Sequence, residues 1–547
     1  MRRPNTYLAS RPALGITLLA TTLVLVDLGR RILATNDEAR FALLGQDMLT
    51  RGAWFFPQLN GAVYHAKPLL QAWLIALCSW PAGHVTQLTA VLPSALAGIG
   101  TVLVVHALGR DMLGADAGRY AALVAITTQG WFLHARLPMP DMLLTFLITA
   151  SLAMFWRLVQ GRPGPNWLAF YGLVGMAFWA KGAAGLIPLA IVVVYAVATR
   201  RLGRWRELHL PAGLALVAVL IAPWWIRQWF FDTSALREVV VSDNLGWYVP
   251  RSLTSSLLTG ALQHLVGVLF PWVLAVPAVM WQAVRFLRGR GPERDGVHLL
   301  ILWSAVLLSC VGISEQQRLR YYVPLVPPVS LLIGWWCAGA VVERSPLEHV
   351  PWRIYGIAAA VVALATAVAY AFRPTWAHAA QLALPSSAAE VAVMAGGLLL
   401  MVGALSWGLQ RNAMARVFAL AWIGSALWVG GWYHWELGRR NAAYDYPRVH
   451  AEAARLLPEA PLVAAWGVYE LPFSFYFDRR VVPVATDRDL HRVMAQHPGS
   501  SAVLTVAALA QVEDAARLRV LPLDRLNFDS IVLVTYSPDA PRAGARP

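Results

Sequence analysis

Long apolar stretches separated by short arginine-bearing gaps run from residue 13 to about residue 438. A helix needs ~20 apolar residues to cross a bilayer, and about thirteen such spans can be drawn here. The first, at 13–31, is followed by no cleavage site and is expected to be retained as a signal anchor. Arginines then sort the loops. Arg2, Arg3 and Arg11 precede the first span, and Arg110 with Arg119, then Arg157 with Arg162, flank later gaps. Further basic gaps carry Arg200, Arg201, Arg204 and Arg206, then Arg285, Arg288, Arg290 and Arg294, then Arg344 with Arg353, and Arg411 with Arg416. Every second loop is basic, so these face the cytoplasm, as does the N-terminus. The loops 34–84 and 231–256 are polar, are placed outside, and in the first case read as short interfacial helices. An odd number of spans leaves the tail outside too.

From about residue 439 the pattern changes. An amphipathic helix is predicted over 446–457, and short buried strands over 461–466, 481–484, 502–505 and 530–535. The expected architecture is an all-α polytopic membrane domain, 1–438, followed by a small α/β soluble domain, 439–547.

Composition agrees. The chain of 547 residues is 58% hydrophobic and 14% charged, with mean hydropathy +0.53. Soluble proteins carry roughly 25% charged residues, so a soluble enzyme, a disordered chain and a coiled coil are excluded. The net charge of +15 is assigned to cytoplasmic arginines and membrane lipids rather than to nucleic acid. Cys78, Cys310 and Cys337 lie in apolar stretches and form no CxxC pair. The tail has no GxGxxG, no P-loop and no zinc spacing. Only two lysines occur, Lys67 and Lys181, which singles out both as places where a compact ammonium is wanted.

Ionisable groups near a membrane are functional hypotheses by default. Asp37, Glu38 and Arg40 follow the first span, where Asp37 either caps a helix or serves as a general base. Asn60-Gly61 makes a turn, and Lys67 precedes Pro68 at the mouth of the next apolar segment. Asp141 opens a span, where it complements the helix dipole or contributes to catalysis. Lys181-Gly182 breaks an apolar run, and Arg320 enters a helix from outside. Cations with a few acids on one face suit a lipid-linked phosphate.

In this order the motifs resemble the GT-C membrane glycosyltransferases, in particular the bacterial aminoarabinose transferases and the dolichyl-phosphate-mannose protein mannosyltransferases. The family pattern Asp-Glu-x-Arg is matched at Asp37, Glu38 and Arg40. Leu-Asn-Gly-x-x-Tyr-x-x-Lys-Pro is matched from Leu59 through Tyr64 and Lys67 to Pro68. Pro-Asp-x-x-Leu-Thr is matched from Pro140 to Thr145, Lys-Gly at Lys181, and Arg-Tyr-x-x-Pro-x-x-Pro from Arg320 to Pro327. The resemblance covers roughly the first 330 residues. It implies a GT-C fold in a bacterial inner membrane with a periplasmic site. The implied reaction is inverting transfer of a sugar from a polyprenyl-phosphate donor to lipid A or another envelope acceptor. The implied catalytic carboxylates are Asp37 and Asp141. The implied substrate-binding residues are Glu38, Arg40, Tyr64, Lys67, Lys181, Arg320 and Tyr322. Two departures bear on a divalent metal. The family's metal-linked glutamate is Ala66 here, and its outer-loop Glu-His is replaced by the run from Ser242 to Tyr248. His65 and Asp243 are the ligands that remain to be considered.

Overall fold

The computed structural model describes residues 11–200, 208–231, 255–289, 291–314, 317–342, 388–410, 414–527 and 529–536, with isolated positions between 353 and 368. The expectations for residues 1–10, for Asp243 and most of the loop 231–256, for Arg344 and for 538–547 lie outside the described residues.

Among the described residues, six helices are long and apolar enough to cross a membrane: Gln87–Leu113, Pro140–Val159, Asn166–Ala198, Leu210–Trp229, Arg294–Gly312 and Leu319–Gly339. A seventh is added if Thr259–Leu269 and Trp272–Leu287, bent by 111°, count as one span. The chain is a multi-pass membrane protein. Part of the expected set of about thirteen lies outside the described residues, and within them short or merged helices lower the count. Pro12–Leu25 and Leu70–Ala82 are apolar but short, and 166–198 runs as one candidate through a 3₁₀ break at Gly182–Leu186.

The chain divides into two compact units. The first comprises residues 1–26, 65–71 and 93–436. Its helices pack through small residues, as apolar surroundings require, because backbone approach rather than water exclusion holds helices together there. Pro140–Val159 lies along Asn166–Lys181, and Val326–Val342 along Ala115–Ile126. At the second contact a Cβ on Gly334 would meet the Ala117 carbonyl oxygen at 2.5 Å, so the two backbones touch. Arg162 pairs with Asp111 at 2.8 Å, tying the ends of Gln87–Leu113 and Pro140–Val159 together.

The second unit comprises residues 27–64, 72–92 and 437–547. Its centre is a five-stranded sheet built from Leu462–Trp466 (β3), Val482–Pro483 (β4), Ser501–Thr505 (β5), Leu518–Leu526 (β6) and Asp529–Tyr536 (β7). The strands lie in the order β4-β3-β5-β7-β6. The first three pair in parallel, and β5–β7 and β7–β6 pair antiparallel. β3 and β5 are buried along their whole length, as parallel strands covered on both faces must be. One face packs Tyr446, Val449, Phe473 and Phe477. The other packs Leu490, Met494 and Ala508. The predicted helix is present at Tyr446–Leu456, and all four predicted strands are present. β6 is an addition: it is an edge strand whose alternation is interrupted by Pro522, Asp524 and Arg525. The short strands Gln58–Leu59 (β1) and Ala62–Val63 (β2) form a hairpin in the same unit.

Candidate active site

In the first unit the expected cations gather round one carboxylate. Pro140 starts its helix, as its fixed φ favours, and puts Asp141 in the first turn. Asp141 is 2% exposed and forms an ion pair with Lys181. Lys181 is the last residue of Asn166–Lys181. Gly182 follows at φ +62, a conformation that residues with a Cβ avoid, and turns the chain into the 3₁₀ segment. That break lets the ammonium leave the apolar helix surface. The Lys181 ammonium also lies 4.3 Å from the centre of the Tyr321 ring, and Arg320 lies 5.5 Å from the same ring. Arg320, Lys67 and Asp141 all act electrostatically on Lys181. His134 is 3% exposed and donates from Nδ1 to the Gly130 carbonyl at 2.7 Å. Its Nε2 is thereby the acceptor nitrogen, within the field of Asp141, Arg320 and Lys181.

Lys67 is held by its neighbours in sequence. The Gln228 amide donates to the His65 carbonyl at 2.8 Å. Gln71 donates to Ser94 at 3.3 Å, and Ser94 donates to the Met139 carbonyl at 3.1 Å. This relay links the segment after Lys67 to the residue preceding Pro140.

The other expected residues belong to the second unit. Thr35 caps helix Asn36–Arg51 by accepting from the Glu38 amide, and Glu38 stands three places on, the spacing of a capping box. The cap is therefore Thr35 and not Asp37. Asp37 is half-buried in the first turn, 3.2 Å from Arg40. Glu38 is an internal anchor rather than a ligand-facing group. It is 5% exposed, accepts from the Ala34 amide at 2.8 Å and from Arg440 at 2.5 Å, and has Arg31 at 3.7 Å. Burial raises its pKa, but the two guanidiniums and the hydrogen bonds outweigh burial and hold it below the ordinary value. The segment leading to Asp37 is pinned by Asn441 on the Ile32 amide at 3.0 Å and by Tyr476 on the Leu33 amide at 2.9 Å. Asn36 donates to Glu470 at 2.8 Å and accepts from the Leu471 amide at 3.1 Å. Tyr64 is buried, and its amide donates to the Pro57 carbonyl at 2.9 Å, closing the β1–β2 hairpin.

One substitution in the expected set follows. Tyr322 is fully buried, with its hydroxyl 3.3 Å from the Gln317 amide oxygen, while Tyr321 is the ring beneath Lys181. Tyr321 and His134 are the residues that the expected set lacks; both stand inside motifs already singled out. The described residues offer few donors for a divalent metal. Ala66 offers none, His65 is exposed, and Asp243 lies outside the described residues. Among the described residues no three His, Cys, Asp or Glu side chains gather.

A family model described as dolichyl-phosphate-mannose-protein mannosyltransferase matches residues 66–227. An undecaprenyl phosphate-alpha-4-amino-4-deoxy-L-arabinose arabinosyl transferase of Pectobacterium atrosepticum is 25% identical over 66% of this chain and 66% of its own length. A similarly named protein of Pseudomonas fluorescens is 28% identical over 59% of each. The chain thus spans less than two-thirds of the length of these curated relatives. The crystal structure of ArnT from Cupriavidus metallidurans bound to undecaprenyl phosphate matches at a TM-score of 0.72 and 21% identity, covering 96% of this chain and 98% of that one. The archaeal oligosaccharyltransferase AglB from Archaeoglobus fulgidus matches at 0.50 and 13%, covering 97% and 75%. The fold is that of the ArnT crystal structure.

Proposed function

We propose that this protein is an inner-membrane glycosyltransferase. It moves a sugar, 4-amino-4-deoxy-arabinose or a close relative, from a polyprenyl-phosphate donor to lipid A on the periplasmic face. The full span count of about thirteen, with a cytoplasmic N-terminus and a periplasmic tail, belongs to this proposal. The carrying observation is the Lys181–Asp141 ion pair with Lys67 and Arg320 close enough to act on Lys181. Cations in a partly dry site favour a phosphate leaving group. The relatives' names supply the donor class and the sugar.

In the reaction the acceptor oxygen attacks the anomeric carbon, and the bond from that carbon to the phosphate oxygen breaks. The new negative charge on the polyprenyl phosphate rests on Lys67, Lys181 and Arg320. Arg40 is a further phosphate contact. Asp37 takes the acceptor's proton, or positions the acceptor by accepting a hydrogen bond from a protonated group on it. The attack and the departure occur on opposite faces, so the anomeric configuration inverts. Asp37→Asn is expected to lower transfer by about 10²-fold or more while leaving expression and insertion intact, because a general base contributes that much. Unchanged turnover would remove Asp37 from the mechanism.

The test of the whole reading is mass spectrometry of lipid A from cells lacking the gene and from cells complemented with wild type or Asp37→Asn. Loss of one sugar mass, restored by wild type alone, supports it; unchanged lipid A overturns lipid A as acceptor. The matched family model names protein mannosyltransferases, so a protein acceptor is the second reading, tested by glycoproteomics of the same strains. We further propose that transfer is metal-independent, since Ala66 withdraws the family's ligand and Asp141 is already paired with Lys181. EDTA treatment should leave the rate within about twofold, a change of only ~0.4 kcal/mol in barrier. Abolition by EDTA and recovery on adding a divalent cation would refute this.

A further inference from the structure

The second unit contains a cleft of about 430 Å³ that none of the catalytic and substrate-binding residues proposed above lines. It lies between helix Asn36–Arg51, the β1–β2 hairpin and the turn after helix Glu470–Tyr476. Small-molecule sites run from ~300 to 1,000 Å³, so the volume suits a mono- or disaccharide. The walls are rigid for local reasons. Asp47 receives two hydrogen bonds from Arg51, at 2.6 and 2.9 Å, and one from the Gln58 amide at 2.7 Å, which locks the helix to the hairpin. Asn60 and Gly61 both have positive φ, 51° and 80°, as a two-residue hairpin turn requires. The hydroxyl of Ser474 accepts from the Val481 amide at 3.1 Å and its carbonyl accepts from the Arg479 amide at 3.2 Å, bracing the opposite turn.

Charge sets the ligand class. Asp47 is already neutralised by Arg51. Arg479 and Arg480 both line the cleft, both are exposed, and among the described residues neither has an ion-pair partner. The Arg480 guanidinium lies across Gly61, where a Cβ would collide with it, so it is presented at the cleft edge. Asp478 is the one further acid in the lining. Two planar guanidiniums recognise phosphate in a two-pronged way. Gln46, Thr50 and Asn60 add amide and hydroxyl groups for sugar hydroxyls, over the apolar side chains of Leu43 and Leu59. The cleft lies along the helix that carries Asp37. Arg40, Asp47 and Arg51 fall within about 80° of Asp37 around that helix, and Asp47 to Arg51 lie ~15–20 Å further along it.

We propose that this cleft is a binding subsite for a phosphate-bearing saccharide, namely the headgroup of the glycolipid acceptor. It holds the sugar-phosphate remote from the reacting oxygen while Asp37 serves the reacting end. The inference rests on the proposed acceptor reading, so the test separates the two.

Full-length protein in detergent is titrated by calorimetry with acyl-free glucosamine disaccharide 1,4′-bisphosphate, with the unphosphorylated disaccharide, and with inorganic phosphate. The bisphosphate is expected to bind at least tenfold more tightly than either control. Arg479→Gln combined with Arg480→Gln should abolish that preference, and Arg480→Lys, which keeps charge but loses the two-pronged geometry, should retain part of it. In transfer assays the double variant should raise the KM for lipid A about tenfold and leave kcat and donor affinity unchanged. Equal binding by wild type and double variant, or an unchanged KM, overturns the subsite. Equal binding of inorganic phosphate and the bisphosphate overturns its saccharide part. If wild type binds the bisphosphate yet transfers nothing to lipid A, the acceptor reading fails and the cleft stands as a site for a different phosphorylated glycan.

Discussion

Lys181 and Asp141 each make the other tolerable. Asp141 is 2% exposed, and a buried carboxylate without a cation costs far more than a missing hydrogen bond. Lys181→Ala is therefore expected to destabilise the protein by about 3–5 kcal/mol, the usual cost of stranding one member of a buried pair. Lys181→Met with Asp141→Leu removes both charges and fills similar volume, so stability should return to near wild type, read by thermal unfolding in detergent. Transfer should stay abolished in the double variant, because the phosphate has lost a cation. Recovered activity would show that the pair only supports the fold. Lys181 was legible from sequence because Lys-Gly interrupts an apolar run. Which of Tyr321 and Tyr322 faces it was not legible. The segment Leu319–Leu325 is a 3₁₀ helix with about three residues per turn, so the side that each tyrosine presents depends on a turn type that composition does not reveal.

At the scale of elements, Glu38 decides how helix Asn36–Arg51 begins. It joins that helix to the preceding segment through Ala34 and to helix Met414–Ala443 through Arg440. Its folded-state pKa lies below the ordinary 4.5. The contribution to stability is thus fully present above pH 4.5 and is lost as pH falls through the folded-state value. Unfolding monitored between pH 7 and 3 should show this loss, and Glu38→Gln should be less stable at neutral pH with a flatter acid limb. An unchanged acid limb in the variant would place the acid sensitivity elsewhere. The sequence marks Asp37, Glu38 and Arg40 as one cluster, and Thr35 with Glu38 matches a capping box. It does not say that Glu38 turns inward, because Arg440 is separated from it by 402 residues. The edge strand β6 was missed for a related reason: Pro522 and its charged neighbours are tolerated where one side of a strand needs no ladder.

For the whole molecule, charge sorting gives the sidedness its testable form. In the first unit, Arg162 with Asp111 and Arg157 with Asn166 at 3.3 Å gather at one end of the helices Gln87–Leu113 and Pro140–Val159. Asp141 opens the second of these helices, ~24 Å away along 16 residues. In the proposed topology the positive-inside rule puts the basic end in the cytoplasm, and Asp141, Lys181 and Arg320 would then face the periplasm. Impermeant maleimide labelling of single-cysteine variants tests this, starting from a protein with Cys78, Cys310 and Cys337 replaced by serine. Arg318→Cys, exposed just before the segment that carries Arg320, should label in intact spheroplasts. Glu459→Cys, exposed in the tail, should label there too, while Arg119→Cys should label only after the membrane is opened. A lipid-linked donor must reach the face on which the acceptor lies, and these three positions decide that face independently of any activity. Labelling of Arg119→Cys from outside would invert the topology and put the phosphate cluster in the cytoplasm, where a periplasmic transfer could not occur.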